Sequence, residues 1–177
     1  MTNHKRKFSR QQYKATHPLL RFRKISPHVL AFVKNSLAPG SILSVDSFPW
    51  ALKINVDCVY ELKMFEHLCK KSQSISFLES TVDLPVDVKF DNLILCGISE
   101  FKYKPWSEAV DTVVHVSNAS QHRIIVALPI TVLFFHRLQH TYQDIIDKIS
   151  QRFEQQGLAC ESQLLDIDVV YFSLRKK

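Results

Sequence analysis

The sequence predicts an α/β domain: a three-layer sandwich with a mostly parallel sheet and an antiparallel hairpin at its C-terminal edge. Residues 75–98 are the first evidence, because they contain two short apolar runs joined by a polar loop that Leu84 and Pro85 close. Short apolar runs bounded by turn residues are typical of buried strands in a parallel sheet. Helical and strand patterns alternate around this stretch, and two apolar runs with a short link end the chain. This alternation favours helices packed on a parallel sheet.

The N-terminal half predicts two helix–strand alternations before that stretch. A helix is expected over 26–40, with Ser-Pro at its start and Pro-Gly at its end. A first strand follows over 42–45. Apolar residues at every second position predict another strand over 50–56. Asp57 then suits the N-cap of a helix that continues to about residue 71.

The C-terminal half continues the alternation. Pro129 stops a strongly apolar strand, and Gly157 provides the C-cap of a long amphipathic helix. The expected elements are a helix over 107–116, a strand over 123–128, a helix over 142–156, and strands over 160–165 and 169–174. The link between the last two strands is short, so we expect them to form the antiparallel edge hairpin.

Charge is distributed unevenly along the 177 residues, which carry a formal net charge of +6. The first 24 residues hold eight bases and no acid, and the last three residues are all basic. The 150 residues between them hold 12 bases and 17 acids. The ends are therefore basic and the body is mildly acidic. A basic segment of this kind can neutralise phosphates or anionic lipid head groups.

The sequence divides into a basic, flexible N-terminal arm over residues 1–24 and a folded domain over 25–177. Phe8, Tyr13 and Phe22 lie among the bases of the arm, and aromatic rings can stack on unpaired nucleobases. The candidate nucleic-acid-binding residues are Lys5, Arg6, Lys7, Arg10, Lys14, Arg21, Arg23 and Lys24. The alternative interpretation is a solvated tail that only aids solubility.

The four cysteines, Cys58, Cys69, Cys96 and Cys160, include no C-x-x-C pair. We expect reduced, mostly buried thiols in a cytoplasmic compartment. No apolar run approaches the roughly 20 residues that span a bilayer, so no membrane span is expected. The basic N-terminus lacks the apolar segment of a secretory signal.

The stretch from Phe77 to Gly97 resembles the S-adenosylmethionine-dependent methyltransferases with a Rossmann-like fold, the class I enzymes. In that family a third strand leads into an acidic loop closed by Leu-Pro, and Phe-Asp opens the fourth strand. The matching segments are residues 75–79, 80–83, 84–85 and 90–91. The downstream order of elements also matches, so the resemblance covers about residues 25–177. It implies a Rossmann-like fold and S-adenosylmethionine as the cofactor.

The resemblance also implies cofactor-binding positions. In the family an acid at the end of the second strand binds both ribose hydroxyls, and Asp57 corresponds to it if the second strand is 50–56. Ser80 aligns with the acid that contacts the adenine amine, and Asp83 keeps that loop acidic. Cys96 and Gly97 follow the fourth strand and would line the methionine end of the pocket.

The loop after the first strand departs from the family pattern. The family has an acid and a G-x-G-x-G-like turn there, because the backbone must approach the cofactor without a side chain intervening. Here Ser44 takes the place of the acid and Asp46 that of the first glycine. Only ten residues separate Asp46 from Asp57, so we expect the usual first helix to be shortened or lost.

Two functions therefore stand side by side. The first is a methyltransferase whose loop amides over residues 46–50 hold the cofactor, with an RNA or another anionic substrate favoured by the basic arm. The second is a degenerate, non-catalytic module of the same fold that serves binding or assembly, in association with RNA. No catalytic base can be assigned from the sequence, because positioning of the acceptor can do much of the work in methyl transfer.

Two other groupings are candidates for sites. His136, His140 and Asp144 have the spacing of one helical face but lack the acid of a zinc-protease helix, so a solvated helix edge is favoured over a metal site. Four aromatic residues suggest a cluster near the carboxyl ends of the strands, where it would hold an adenine or a substrate base. They are Trp50, Phe101, Tyr103 and Trp106. Ordinary packing is the alternative.

Overall fold

A computed structural model describes residues 25–69, 74–97, 101, 104–129, 142–166 and 169–177. The predicted N-terminal arm lies outside these residues. Within them the helices are α1 (Pro27–Ser36), α2 (Phe48–Ala51), α3 (Trp106–Val116) and α4 (Tyr142–Gln155). The strands are β1 (Ile42–Val45), β2 (Cys58–Leu62), β3 (Ile75–Leu78), β4 (Phe90–Leu95), β5 (Ser120–Pro129), β6 (Leu158–Asp166) and β7 (Val169–Lys176). No helix in the described part combines the length and apolar character needed to cross a bilayer.

The seven strands form one sheet in the order β3-β2-β1-β4-β5-β7-β6. Neighbours from β3 to β5 are parallel, and β7 runs antiparallel to both β5 and β6. The predicted α/β sandwich with a C-terminal antiparallel edge hairpin is therefore confirmed. The strand order reverses between β1 and β4, and open α/β sheets bind ligands at such a switch point, outside the carboxyl ends of the strands.

Helices cover both faces of the sheet. One face packs against α3 and α4, whose buried residues join those of β4, β5 and β7 in the larger apolar cluster. The opposite face packs against α1 and α2, which contribute Val29, Val33 and Trp50 to a second cluster. In β5, residues 124–128 are fully buried, as a central strand covered on both faces requires.

The predicted elements between residues 50 and 71 are wrong. The expected strand over 50–56 is the short helix α2 followed by turns, and Leu52 there is 53% exposed. The expected helix from Asp57 is strand β2 followed by a 3₁₀ segment over Lys63–Leu68. Strand β2 pairs with both β1 and β3, so pairing within the sheet overrides the helical spacing of its apolar residues.

Trp50 is fully buried and fills the space on the α1 face of the sheet. Its ring meets Tyr171 edge-on, with centroids 6.1 Å apart, and Phe32 contacts the same tyrosine at 6.5 Å. Phe101 is buried in the cluster on the opposite face, and Trp106 packs against that cluster too. Trp50 therefore lies on the opposite face of the sheet from Phe101 and Trp106, so these three do not form the one suggested cluster, and Tyr103 lies outside the described residues.

Asn92 anchors the connection between α1 and β1 to the centre of the sheet. Its side chain is fully buried at the start of β4. The amide group donates to Ala38 O at 3.0 Å and to Ser41 O at 3.1 Å, while its oxygen accepts from Ala38 N at 2.8 Å. Three backbone groups of a turn are thus satisfied by one side chain, as buried polar groups require.

We predict that Asn92→Ala lowers the free energy of unfolding by about 2–4 kcal/mol, because it removes three hydrogen bonds and leaves the part-buried N–H and C=O of Ala38 without this partner. Urea denaturation followed by circular dichroism measures this loss. The control is Asn118→Ala, whose side chain is exposed and which should stay within about 0.5 kcal/mol of the original protein. Equal losses in the two variants would contradict the anchoring role.

Candidate functional site

The candidate site lies at the carboxyl ends of β1, β2 and β4. Three short segments meet there: Asp46 and Ser47 after β1, Glu61 near the end of β2, and Cys96 and Gly97 after β4. Parallel pairing places these segments side by side at one edge, because Val45 pairs with Tyr60 and Ser44 with Ile94. This edge is where a fold of this class binds its ligand.

Asp46 adopts a left-handed backbone conformation with φ of 45°. Its amide donates to Tyr60 O at 2.9 Å, and the residue is 1% exposed. Left-handed backbone is ordinarily glycine's, although aspartate tolerates it better than most residues. The chain therefore keeps the backbone shape expected of the first glycine at this position, while adding a buried carboxyl group.

Glu61 is the central acid of the site, and it is only 3% exposed. Its carboxylate accepts from Phe48 N at 3.0 Å and from Leu62 N at 2.9 Å. Burial raises the pKa of Glu61, while hydrogen bonds from Leu62, Asp46 and Phe48 partly offset that rise. The side chains of Asp46 and Glu61 are therefore close enough for a hydrogen bond between two buried acids.

Ser47 ties the β1 loop to β4. Its Oγ accepts from Cys96 N at 2.6 Å and lies 2.7 Å from Val45 O and 3.3 Å from Ile94 O. The residue is fully buried. The loop is therefore held against the end of the neighbouring strand by a side chain that spans both.

Gly97 is required by the same close packing. A Cβ at this position would overlap the backbone oxygen and the side-chain Cγ of Asp46. The structure thus brings together two of the predicted site residues, Asp46 and Gly97, in direct contact. Backbone approach of this kind needs a glycine on one side.

Cys96, the other predicted residue after β4, turns away from Gly97 and Asp46. Its side chain is fully buried in the cluster with Val29 and Trp50, and its Sγ lies 3.7 Å from Ile125 O. Burial raises the pKa of the Cys96 thiol, so it stays protonated and is unsuited to act as a nucleophile. All four cysteines of the chain are free.

Ser44 is fully buried, and within the described residues its hydroxyl takes no part in the hydrogen bonds of the acid pair. Leu43 and Val45 belong to the α3–α4 cluster, so alternation along β1 directs Ser44 to the face that holds Trp50. Among the described residues, neither Ser44 Oγ nor Trp50 Nε1 has a hydrogen-bond partner. Ser44 takes the place of the family's acid in sequence, but its hydroxyl forms no hydrogen bond with Glu61 or with any other described residue.

The assignment of Asp57 depends on a strand that the structure does not contain. Asp57 precedes β2 instead of following it, so it lies at the amino edge, opposite the candidate site. It is exposed there, and its carboxylate accepts from Ile42 N at 2.7 Å. The acid near the carboxyl end of the second strand is Glu61. Its signal in the sequence is a single acid inside the apolar run from Val59 to Leu62.

Ser80 and Asp83 lie after β3, at the same edge as the acid pair but two strands away from β1. They close a capping box on the 3₁₀ segment Thr81–Asp83, in which Ser80 N donates to the Asp83 carboxylate at 2.9 Å. Asp83 is exposed. Their predicted contact with an adenine stays a prediction.

The remaining predicted sites fall outside the described residues. They are the eight bases of the arm, together with His136 and His140. Within the part of the chain that the structure describes, no group of three or more histidine, cysteine, aspartate or glutamate residues is arranged to hold a metal ion.

The architecture and the position of the site can be compared with those of known proteins. No protein-family model matches the chain, and no curated protein matches its sequence. Among solved structures, the DhpI–S-adenosylhomocysteine complex has a TM-score of 0.64 at 14% identity, covering 94% of this chain and 90% of DhpI. The fold is that of the class I S-adenosylmethionine-dependent methyltransferases. The predicted resemblance is confirmed at this level.

Two further structures of that fold are similar. The 1,6-didemethyltoxoflavin-N1-methyltransferase of Burkholderia thailandensis, solved with S-adenosylhomocysteine, has a TM-score of 0.57 at 9% identity and covers 100% of this chain and 91% of its own. Magnesium protoporphyrin IX methyltransferase of Synechocystis PCC 6803 has a TM-score of 0.54 at 16% identity, covering 88% and 83%. These neighbours are methyltransferases with different substrates.

We predict that Gly97→Ala lowers the free energy of unfolding by roughly 2–4 kcal/mol, because the added methyl group overlaps backbone atoms of Asp46. Thermal and urea denaturation measure the change. Gly157→Ala is the matched control: its φ of +79° costs about 1 kcal/mol for a side chain, but nothing lies within 4 Å of the new methyl. A Gly97→Ala variant as stable as Gly157→Ala would contradict the close packing.

The raised pKa of Glu61 predicts a specific dependence of stability on pH. A folded-state pKa above the unfolded value, near 4.5, means that the folded chain holds the proton more tightly. This stabilisation is full below about pH 4.5 and is lost as pH rises through the folded-state pKa. Relative to Glu61→Gln, the original protein should lose up to about 1.4 kcal/mol per pH unit across that interval.

Urea denaturation at a series of pH values tests this prediction through the difference between the two unfolding curves. Glu79→Gln is the control, because Glu79 is exposed and pairs with Lys63 at 2.7 Å. The difference in unfolding free energy between the original protein and Glu79→Gln should not fall in that way as pH rises. Parallel pH profiles for the original protein and Glu61→Gln would show that Glu61 titrates as in the unfolded chain.

Proposed function

We propose that this chain is a methyltransferase-fold protein that binds S-adenosylmethionine, or its demethylated product, at the carboxyl edge of the sheet. The observation that carries the proposal is the position of Glu61. It lies near the carboxyl end of β2, beside the β1 loop, where the family has the acid that binds the ribose hydroxyls. Solved structures of the same fold, obtained with S-adenosylmethionine or S-adenosylhomocysteine, support this cofactor class.

The Glu61 carboxylate has the chemistry that a ribose requires. Each of its oxygens holds one backbone amide, from Phe48 or Leu62, and each has a second lone pair for a hydroxyl. The Asp46 side chain is a hydrogen-bond partner of the same group. Glu61 thus fits the ribose, and binding requires Asp46 to turn away from it.

S-adenosylmethionine would supply a methyl group activated by its sulfonium. The contribution of the chain would be positioning, since methyl transfer depends on holding the acceptor in line with that group. Ser47 and Gly97 hold the β1 loop rigidly against β4 and so fix the floor beside the acid pair. No catalytic residue is assigned.

The methyl acceptor is proposed to be an RNA or another anionic molecule, because of the eight bases in residues 1–24. Ile25, which follows these residues directly, packs against the same apolar cluster as Trp50. Trp50 belongs to the connection that follows β1 at the carboxyl edge. A basic segment joined to the domain on that side supports an anionic substrate at this site.

A second candidate function is a non-catalytic module of the same fold that serves binding or assembly. The observation that favours it is the filled β1 loop. A buried carboxyl group replaces the first glycine, and Trp50 is fully buried where the loop continues. Glu61 is already hydrogen-bonded to the loop, so the closed state is complete without a ligand.

Titration calorimetry with S-adenosylhomocysteine separates the two functions. We expect measurable binding by the original chain at ligand concentrations up to about 1 mM, corresponding to about −4 kcal/mol or better. Glu61→Ala should weaken binding at least about tenfold, because it removes the hydrogen bonds to the ribose. Asp46→Gly should strengthen it about tenfold, because glycine keeps the left-handed backbone and uncovers Glu61.

Asp57→Asn is the control, since Asp57 lies at the opposite edge and should leave affinity unchanged. Circular dichroism melts establish that each variant is folded. No heat from either the original chain or Asp46→Gly would refute cofactor binding and leave the assembly module. Equal affinities for the original chain and Glu61→Ala would refute the ribose assignment.

A further inference from the structure

A cluster of cations lies at the amino edge of the sheet, opposite the candidate site. β5 begins there, β4 begins beside it, and β7 ends there. The cluster, called the basic edge below, consists of Lys89, Arg123, Arg175, Lys176 and Lys177. It stands out because residues 25–174 contain more acids than bases.

Two arginines of the basic edge lie directly opposite each other. Arg123 of β5 pairs with Arg175 of β7 in the antiparallel register, so both side chains leave the same face of the sheet. Like charges at such a position destabilise a sheet. Water reaches both positions, so many uncharged residues would fit at 123 and 175. The chain nevertheless has an arginine at each.

Two lysines of the basic edge, Lys89 and Lys176, also lie near each other. Lys176 lies next to Arg175 and therefore points to the opposite face of β7. Partial burial, together with the nearby charge of Lys89, lowers the pKa of Lys176. The Lys89 ammonium donates to a neutral group, the backbone oxygen of Asn118.

The acids at this edge do not neutralise these cations. Asp91 accepts from Ser41 N at 2.7 Å and from Ser41 Oγ at 2.8 Å, and its other oxygen lies 3.5 Å from His122. Asp57 accepts from a backbone amide. Within the described residues, no carboxylate forms a salt bridge with any member of the basic edge.

We propose that the basic edge binds the phosphodiester backbone of a nucleic acid. A chain of phosphates supplies closely spaced negative charges that relieve the repulsion between the paired cations, and the arginine guanidinium group matches phosphate geometry. An anionic membrane is less well matched, because surface helices that bind membranes insert large apolar side chains. The exposed large apolar residues in the described part are Leu52, Met64, Val82 and Val86, and none belongs to the basic edge. The proposal does not depend on cofactor binding.

The test is the binding of a fluorescein-labelled 20-nucleotide single-stranded RNA to the full chain, measured by anisotropy across a salt series, with a DNA strand of the same length beside it. The variant replaces Arg175, Lys176 and Lys177 by Gln. We expect its affinity at 0.1 M salt to fall at least about tenfold. The slope of log K against log salt should drop by about 2, because each phosphate that is no longer neutralised lowers it by about 0.7.

The matched control replaces Lys53, Lys63 and Lys148 by Gln, three exposed lysines elsewhere on the domain, so that net charge changes equally. It should bind within about twofold of the original chain, because distant surface charges contribute little at this salt. A further readout is thermal stability: Arg175→Gln alone should raise Tm by roughly 1–4 °C while weakening RNA binding, since it removes the repulsion from Arg123.

Equal losses of affinity in the two triple variants would overturn the proposal, since attraction would then follow net charge alone. Unchanged affinity in the basic-edge variant would also overturn it and leave residues 1–24 as the binding segment. A third result would overturn the proposal as well: the original chain binds phosphatidylserine vesicles but neither RNA nor DNA, and the basic-edge variant does not bind the vesicles.

Discussion

The connection between β1 and β2 is the constraint on which the candidate site depends. Parallel strands need a crossover of about a dozen residues or more, and only residues 46–57 are available here. The chain meets this limit by turning left-handed at Asp46 and forming a single helical turn, α2. The amide of Phe48 at the start of that turn would lack a partner, and the Glu61 carboxylate supplies it at 3.0 Å. The short crossover therefore explains why an acid is buried at the edge of the sheet.

The same constraint accounts for how the α1 face is filled. A full crossover helix would cover the strands β1 and β2 with several apolar side chains. Here one large residue, Trp50, takes much of that role; its ring meets Tyr171, which in turn contacts Phe32. The indole nitrogen of Trp50 and the hydroxyl of Ser44 have no hydrogen-bond partner in the described part of the chain. Leaving buried polar atoms unsatisfied costs stability, so the packing of this face is a compromise that the crossover length imposes.

The sequence was sufficient for the parts of the fold that depend on local pattern. The strands around residues 75–95, strand β5 and helix α4 each carry an apolar period and a clear turn signal, and they form as predicted.

The prediction for residues 50–62 was wrong for a physical reason. Alternation and helical spacing compete there, and the outcome depends on pairing with β1 and β3, which lie elsewhere in the chain. The same error misplaced the acid that is proposed to bind the ribose, because Asp57 was placed after a strand that it precedes. Asp46 and Gly97 were both assigned to the site from the sequence, and the structure brings them into contact because they follow adjacent parallel strands. The hydrogen bond between Asp46 and Glu61 had no local signal at all.

The two edges of the sheet present the same physical problem with opposite charge. At the carboxyl edge, two acids are buried together, and burial raises the pKa of Glu61. At the amino edge, cations face each other across β5 and β7 and remain in contact with water, so the solvent screens their repulsion. The two edges therefore differ in how solution conditions would affect the binding of a ligand. A ligand that requires the ionised Glu61 carboxylate would bind in a way that depends on pH, because the pKa of this group is raised. Counterions around exposed cations are released freely to solution, which ties any ligand at the amino edge to salt. The fold thus separates the two proposed binding surfaces, and solution conditions would act on each through a different variable.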